Sequence, residues 1–107
     1  MIEINSMAEL DERIQGGVSV IFFNAPWLAP CHLQEPILET IAGRFEGKAH
    51  VATVNIDLHQ EFALRLRINK IPTLIIYKNR KEIQRLTGLQ SEATLRDALG
   101  TLLDGDE

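Results

Sequence analysis

The segment Val18-Ser19-Val20-Ile21-Phe22-Phe23 is almost wholly apolar and rich in β-branched and aromatic side chains. Such a run suits a strand buried on both faces, and that strand needs cover on both sides. It leads through the turn residues Asn24-Ala25-Pro26 into Trp27-Leu28-Ala29-Pro30-Cys31, where a helical pattern begins. Pro30 suits the first helical position, because its missing N–H costs no bond there. Leu33, Ile37, Leu38, Ile41 and Phe45 supply the apolar stripe of this helix. Pro36 lies inside it and is expected to kink it, and Gly47 closes it.

The flanking segments supply the rest of a sheet. Ile2-Glu3-Ile4 alternates and reads as a short edge strand. Ser6 and Glu9 form a capping box before a helix that faces inward with Met7, Leu10 and Ile14 and stops at Gly16-Gly17. His50 to Ile56 is a further strand, and Asp57 can cap a short helix carrying Phe62, Ala63 and Leu66. Thr73 to Tyr77 is a buried-type strand, Lys78 to Lys81 a turn, and Glu82 to Leu86 its antiparallel partner. Gly88 breaks that strand. Ser91 caps a last helix with Leu95, Leu99, Leu102 and Leu103 facing in, and residues 104–107 read as a frayed acidic tail. The order is βαβαβαββα. Its first two crossovers need parallel strands and right-handed connections, and the closing hairpin adds an antiparallel edge. With 107 residues, 45% of them hydrophobic, residues 1–107 suit one domain with its own core.

The formal net charge is −4, which gives no electrostatic reason to seek phosphate backbones or anionic lipid. No nucleic-acid or membrane partner is expected. Arg65, Arg67, Lys70, Lys78, Arg80 and Lys81 read as solvated faces. The start has no cationic stretch followed by an apolar one, and no secretion signal is expected. The single cysteine excludes an intrachain disulfide, and together these features point to the cytoplasm. Cys31-His32 is one pair of adjacent ligand types with no second pair, so no metal and no other cofactor is expected. His50 and His59 read as ordinary strand and helix-start residues.

The strand, the Trp27-x-x-Pro30-Cys31 turn and the helix together resemble the active-site segment of thioredoxins, whose motif is W-C-G-P-C. Asn55-Ile56-Asp57 and Ile71-Pro72-Thr73 fall at that family's spacing without a gap, and Pro36 and Gly88 also match. The resemblance covers nearly the whole chain. It implies an α/β thioredoxin fold with a central mixed sheet flanked by helices on both faces. It also implies a cis Ile71–Pro72 bond packed beside the Trp27–Cys31 loop.

The departures bear on function. In the family the first cysteine is a thiolate nucleophile at a helix N-terminus, and the second resolves the mixed disulfide. Leu28 holds the first position, and Cys31 corresponds to the second, more shielded sulfur. The gapless register puts Phe22 where the family has a buried Asp that helps deprotonate the second cysteine. Thr53 stands where a Lys tunes that Asp. Ala29 replaces a common Gly, and Asn24 a common aromatic residue. The replaced positions Leu28, Phe22 and Thr53 belong to one functional unit, so no dithiol reductase activity is expected.

Two classes of function stay open. One is a non-catalytic protein- or peptide-binding or assembly module. By the resemblance, an extended peptide would pair with the backbone before the cis proline, and Trp27, Leu28, Pro30, Ile71, Pro72, Gly88 and Leu89 would line its groove. The other is a monothiol oxidoreductase in cell redox homeostasis, in which Cys31 forms mixed disulfides, a glutathione adduct or a Cys31-linked dimer. In the first reading Cys31 is a small buried hydrophobe. In the second it is a reactive thiol near a helix N-terminus. Trp27 is likewise either a packing residue or, on an exposed loop, a recognition aromatic.

Overall fold

A computed structural model of the protein describes residues 1–104. It contains β1 (Ile2–Glu3), α1 (Met7–Arg13), β2 (Val18–Asn24), α2 (Ala29–Arg44), β3 (Ala49–Asn55), α3 (Glu61–Leu66), β4 (Thr73–Lys78), β5 (Lys81–Thr87) and α4 (Glu92–Asp104). The element order is the expected βαβαβαββα. Asp104 is the last residue of α4 and not part of a tail; Gly105, Asp106 and Glu107 lie outside the described residues.

The strands form one five-stranded mixed sheet in the order β1-β3-β2-β4-β5. β3 runs parallel to both β1 and β2, and β4 is antiparallel to β2 and β5. Two apolar clusters lie on the two faces. One joins Leu10 of α1 and Phe62 of α3 to Ile21, Phe23, Val54 and Ile75. The other joins Leu38 and Ile41 of α2 and Leu95 and Leu99 of α4 to Val20, Phe22, Leu74 and Ile76. Alternate residues of β2 therefore serve opposite clusters, which is why the Val18–Phe23 run is apolar throughout: all six positions are buried. Each large side chain so buried contributes about 1.5–3 kcal/mol. Among the described residues no helix is long and apolar enough to cross a membrane.

Local chemistry sets the boundaries. The Glu9 N–H donates to Ser6 Oγ at 3.1 Å, while the Glu9 carboxylate reaches one residue further back than a standard capping box, to the Asn5 N–H. α1 stops at Arg13, ahead of the glycine pair. Asn79 and Arg80 both take positive φ, 50° and 76°, in the two-residue β4–β5 turn. That geometry matches the right-handed twist of the flanking strands. A register shift opposite Ile76 and Tyr77 leaves Ile83 as the extra residue of β5. Ser91 caps α4 through the Thr94 N–H at 3.1 Å.

Three expectations about local structure need correction. Pro30 is the second helical residue, because Leu28 is the N-cap and Ala29 opens α2; its missing N–H is still one of the unpaired donors of the first turn. Leu33 is 59% exposed, and the buried face of α2 is Cys31, Gln34, Leu38 and Ile41. Asp57 does not cap α3, whose N-cap is Gln60 with no side-chain bond. α2 runs through Pro36 as one helix.

Candidate functional site

The site lies where β2 hands the chain to α2. Ala25 is buried, and the Leu28 N–H donates back to its carbonyl at 3.0 Å, closing the turn that presents Trp27. Leu28 takes extended angles as N-cap and offers no side-chain acceptor to the helix. Its carbonyl accepts from the Cys31 and His32 N–H groups at 3.1 and 3.3 Å. The half-buried Leu28 side chain packs against both core clusters.

Cys31, one turn into α2, is 1% exposed and belongs to the cluster that contains Phe22, Leu38 and Leu95. Its Sγ accepts a bond from the Ala25 N–H at 3.5 Å. Burial pushes the thiol pKa up, the Ala25 N–H pulls it down, and the Asp57 charge pushes it up; the net direction is up. A helix N-terminus favours a thiolate, but loss of hydration opposes it more strongly here. The sulfur is therefore shielded and protonated near neutral pH.

Phe22 pairs with Thr53 across the β2–β3 ladder, as the gapless register requires. Phe22 is fully buried, and Thr53 Oγ1 donates to the Phe22 carbonyl at 3.1 Å. The thiol thus has an aromatic ring in its cluster, with no carboxylate on that strand to take its proton.

Trp27 is 71% exposed, and its Nε1–H donates to Asp57 Oδ2 at 2.5 Å. Asp57 is free for this role because Asn55 Oδ1 organises the turn instead, accepting from the Asp57 and Leu58 N–H groups. The indole is held from one side with its body in solvent.

The second half of the site precedes β4. The Ile71–Pro72 bond is cis, as expected. Ile71 is half-buried and packs against both core clusters, as Leu28 does. Among the described residues the backbone N–H and C=O of Ile71 take no partner. The Pro72 carbonyl accepts from the Gly88 N–H at 2.8 Å. Gly88 has φ +83°, a conformation open to glycine and costly to most other residues. Leu89 follows and is 46% exposed. Pro30 is exposed on the first turn of α2.

Gln34 is a site residue that its sequence position gave little reason to choose. Its side chain is fully buried. Nε2 donates to the Gln90 carbonyl at 3.1 Å, and Oε1 accepts from the Gln90 N–H at 2.7 Å. The Gln90 amide in turn donates to the Thr87 and Gly88 carbonyls. These bonds tie α2 to the loop after β5. The one available signal is helical phase: counted from Cys31, the buried positions 31, 34, 38 and 41 fall on one stripe. Away from this site, a cavity of about 210 Å³ lies beside Ser19 and His50 and one of about 420 Å³ lies between β5 and α4. Among the described residues no three His, Cys, Asp or Glu side chains cluster so as to hold a metal ion.

Fold and site together define a thioredoxin-fold domain whose helix-start motif carries a single, buried thiol. The family model for Thioredoxin matches residues 2–101. The chain is 34% identical over 92 residues to thioredoxin of Staphylococcus haemolyticus, covering 86% of this chain and 88% of that protein. It is 32% identical over 92 residues to thioredoxin of Staphylococcus aureus, with the same coverage. Among solved structures, thioredoxin from Trypanosoma brucei brucei superposes with a TM-score of 0.89 at 25% identity, over 97% of this chain and 91% of that one. Fasciola hepatica thioredoxin superposes with a TM-score of 0.86 at 28% identity, over 94% of this chain and 98% of that one. The chain belongs to the thioredoxin family.

Proposed function

We propose that this protein is a non-catalytic protein- or peptide-binding member of its family, a cytoplasmic assembly or docking module that uses no cofactor. The observation that carries the reading is the state of Cys31, 1% exposed with its thiol pKa raised. With Leu28 at the other motif position, no sulfur is poised to attack a disulfide. Two features beside it suit non-covalent binding. One is the exposed Trp27 ring, held by Asp57. The other is the unpartnered backbone of Ile71, where an extended segment can add as a strand. The cytoplasmic setting rests on the single cysteine, which leaves this chain no intrachain disulfide to maintain.

The test is a partner captured from the host and titrated against two variants. Trp27→Ala is expected to cost about 2 kcal/mol or more of binding, because an aromatic anchor dominates a small site. Cys31→Ser is expected to cost much less. A partner lost with Cys31→Ser and held by Trp27→Ala would favour mixed-disulfide chemistry instead.

A further inference from the structure

The last turn of α3 and the connector to β4 carry Arg65, Arg67 and Lys70, six positions from first to last with no acidic residue among them. All three are exposed, and among the described residues none of them makes an ion pair. On a chain of net charge −4, this is a local excess of positive charge, and it leads directly into Ile71 and its unpartnered backbone. The strip is also firmly mounted. Arg85 of β5 donates from Nη1 to the Leu66 and Arg67 carbonyls, at 2.8 and 3.2 Å, while Glu82 holds the rest of its guanidinium. Thr73 Oγ1 donates to the Lys70 carbonyl. Arg85 is thus committed to fixing the connector, and the three other cations are left facing solvent. The first turn of α2 contains no acidic residue. At the Trp27 end of the site the Asp57 carboxylate is bonded to the indole, and Glu61 in the first turn of α3 lies beside His59.

We infer that the segment this site binds is an extended acidic peptide. Its apolar half lies on Trp27 and Leu28, and its carboxylates lie on the Arg67–Lys70 side. The inference rests on the binding role proposed above and names the chemistry of the partner. Three observations carry it together: a free backbone edge supplies the attachment, an exposed aromatic supplies the anchor, and an unpaired cationic strip adjoins that edge. Asp57 sets the polarity, because it repels carboxylates placed over Trp27.

The experiment uses three pools of blocked nonapeptides. Each pool is randomised at alternate positions and flanked at one end by glutamate, glutamine or lysine. The pools are passed over the immobilised protein, and retained sequences are titrated by fluorescence of Trp27, the single tryptophan. The glutamate pool is expected to be retained over the glutamine pool, and the lysine pool least. Its binding should weaken as salt is raised, because surface charge pairs are screened. Arg67→Glu with Lys70→Glu should weaken the glutamate-flanked binders by roughly 3–10-fold, as expected for two exposed charge sites, and should strengthen the lysine-flanked ones. Lys70→Gln alone repeats the test with a milder change and is expected to give the smaller loss. Equal retention of all three pools would overturn the acidic preference and leave the binding role standing. Retention of none would overturn both.

Discussion

The Trp27 indole N–H donates to Asp57 Oδ2 across the gap between the β2–α2 and β3–α3 connections. The bond orients a ring that is otherwise mostly in solvent. Asp57→Ala should free the ring while changing stability by no more than about 1 kcal/mol, since the pair is exposed. Time-resolved fluorescence anisotropy should then show faster local motion of Trp27. An unchanged anisotropy decay would mean that packing, and not this bond, holds the indole.

Gln34 supplies both partners for the Gln90 backbone. Gln34→Leu keeps comparable bulk but leaves the partly buried Gln90 N–H and C=O without their bonds, and should destabilise the domain by about 1–2 kcal/mol despite being more apolar. Urea unfolding checks this. A neutral or stabilising result would mean that water replaces the amide at no cost.

Tyr77 is 5% exposed, and its hydroxyl has no hydrogen-bond partner among the described residues. Burial pushes its pKa up from 10.0 to about 12, with the Glu82 charge adding to the rise. The folded state therefore holds the phenol proton more tightly than the unfolded chain. The stability this provides is complete below pH 10 and is lost as pH rises from 10 to about 12. About 2 kcal/mol should disappear over that window. Tyr77→Phe should abolish this fall in stability above pH 10. At neutral pH it should be neutral or stabilising by up to about 1 kcal/mol, because it deletes an unsatisfied polar atom. Denaturant midpoints at pH 7, 10 and 11.5 test both parts.

Leu28→Cys places two thiols at the family's spacing, which permits a disulfide. It should leave reductase turnover at least about 100-fold below an ordinary thioredoxin, the scale of a missing general base, because Phe22 offers no carboxylate near Cys31. Phe22→Asp added to it should raise the rate. It should also cost several kcal/mol of stability, since Phe22 is fully buried. Insulin reduction with a thioredoxin reductase system measures the rate. Full activity from Leu28→Cys alone would show that Phe22 is no obstacle.

The elements that follow from periodicity and capping were legible in the chain. The Val18–Phe23 strand, the Ser6 and Ser91 caps and the closing hairpin all rest on local chemistry that the fold keeps. Three features were not legible, for physical reasons. Gln34 is buried because a backbone segment 56 residues away needs its amide; side-chain polarity alone argues for solvent, and Leu33 then looks like the better core residue. Asp57 precedes a short helix and has the chemistry of a cap, but Asn55 takes over the local turn and leaves Asp57 to Trp27. The β5 register shift at Ile83 depends on fitting one strand to its neighbour, and no single residue in the run announces it. At the site, the W-x-x-P-C spacing located Cys31, but its burial comes from packing with Phe22, Leu38 and Leu95.

The claim that Cys31 does no redox chemistry is tested most directly by the pH dependence of its alkylation by iodoacetamide in the native protein. Burial and the raised thiol pKa predict native labelling at pH 7 at least about a hundredfold slower than in urea-unfolded protein, the factor imposed by a local opening of about 2.7 kcal/mol. They also predict a rate still rising through pH 9. Native labelling as fast as in the unfolded chain, with a midpoint below the ordinary thiol range, would show an accessible thiolate and contradict the non-catalytic account.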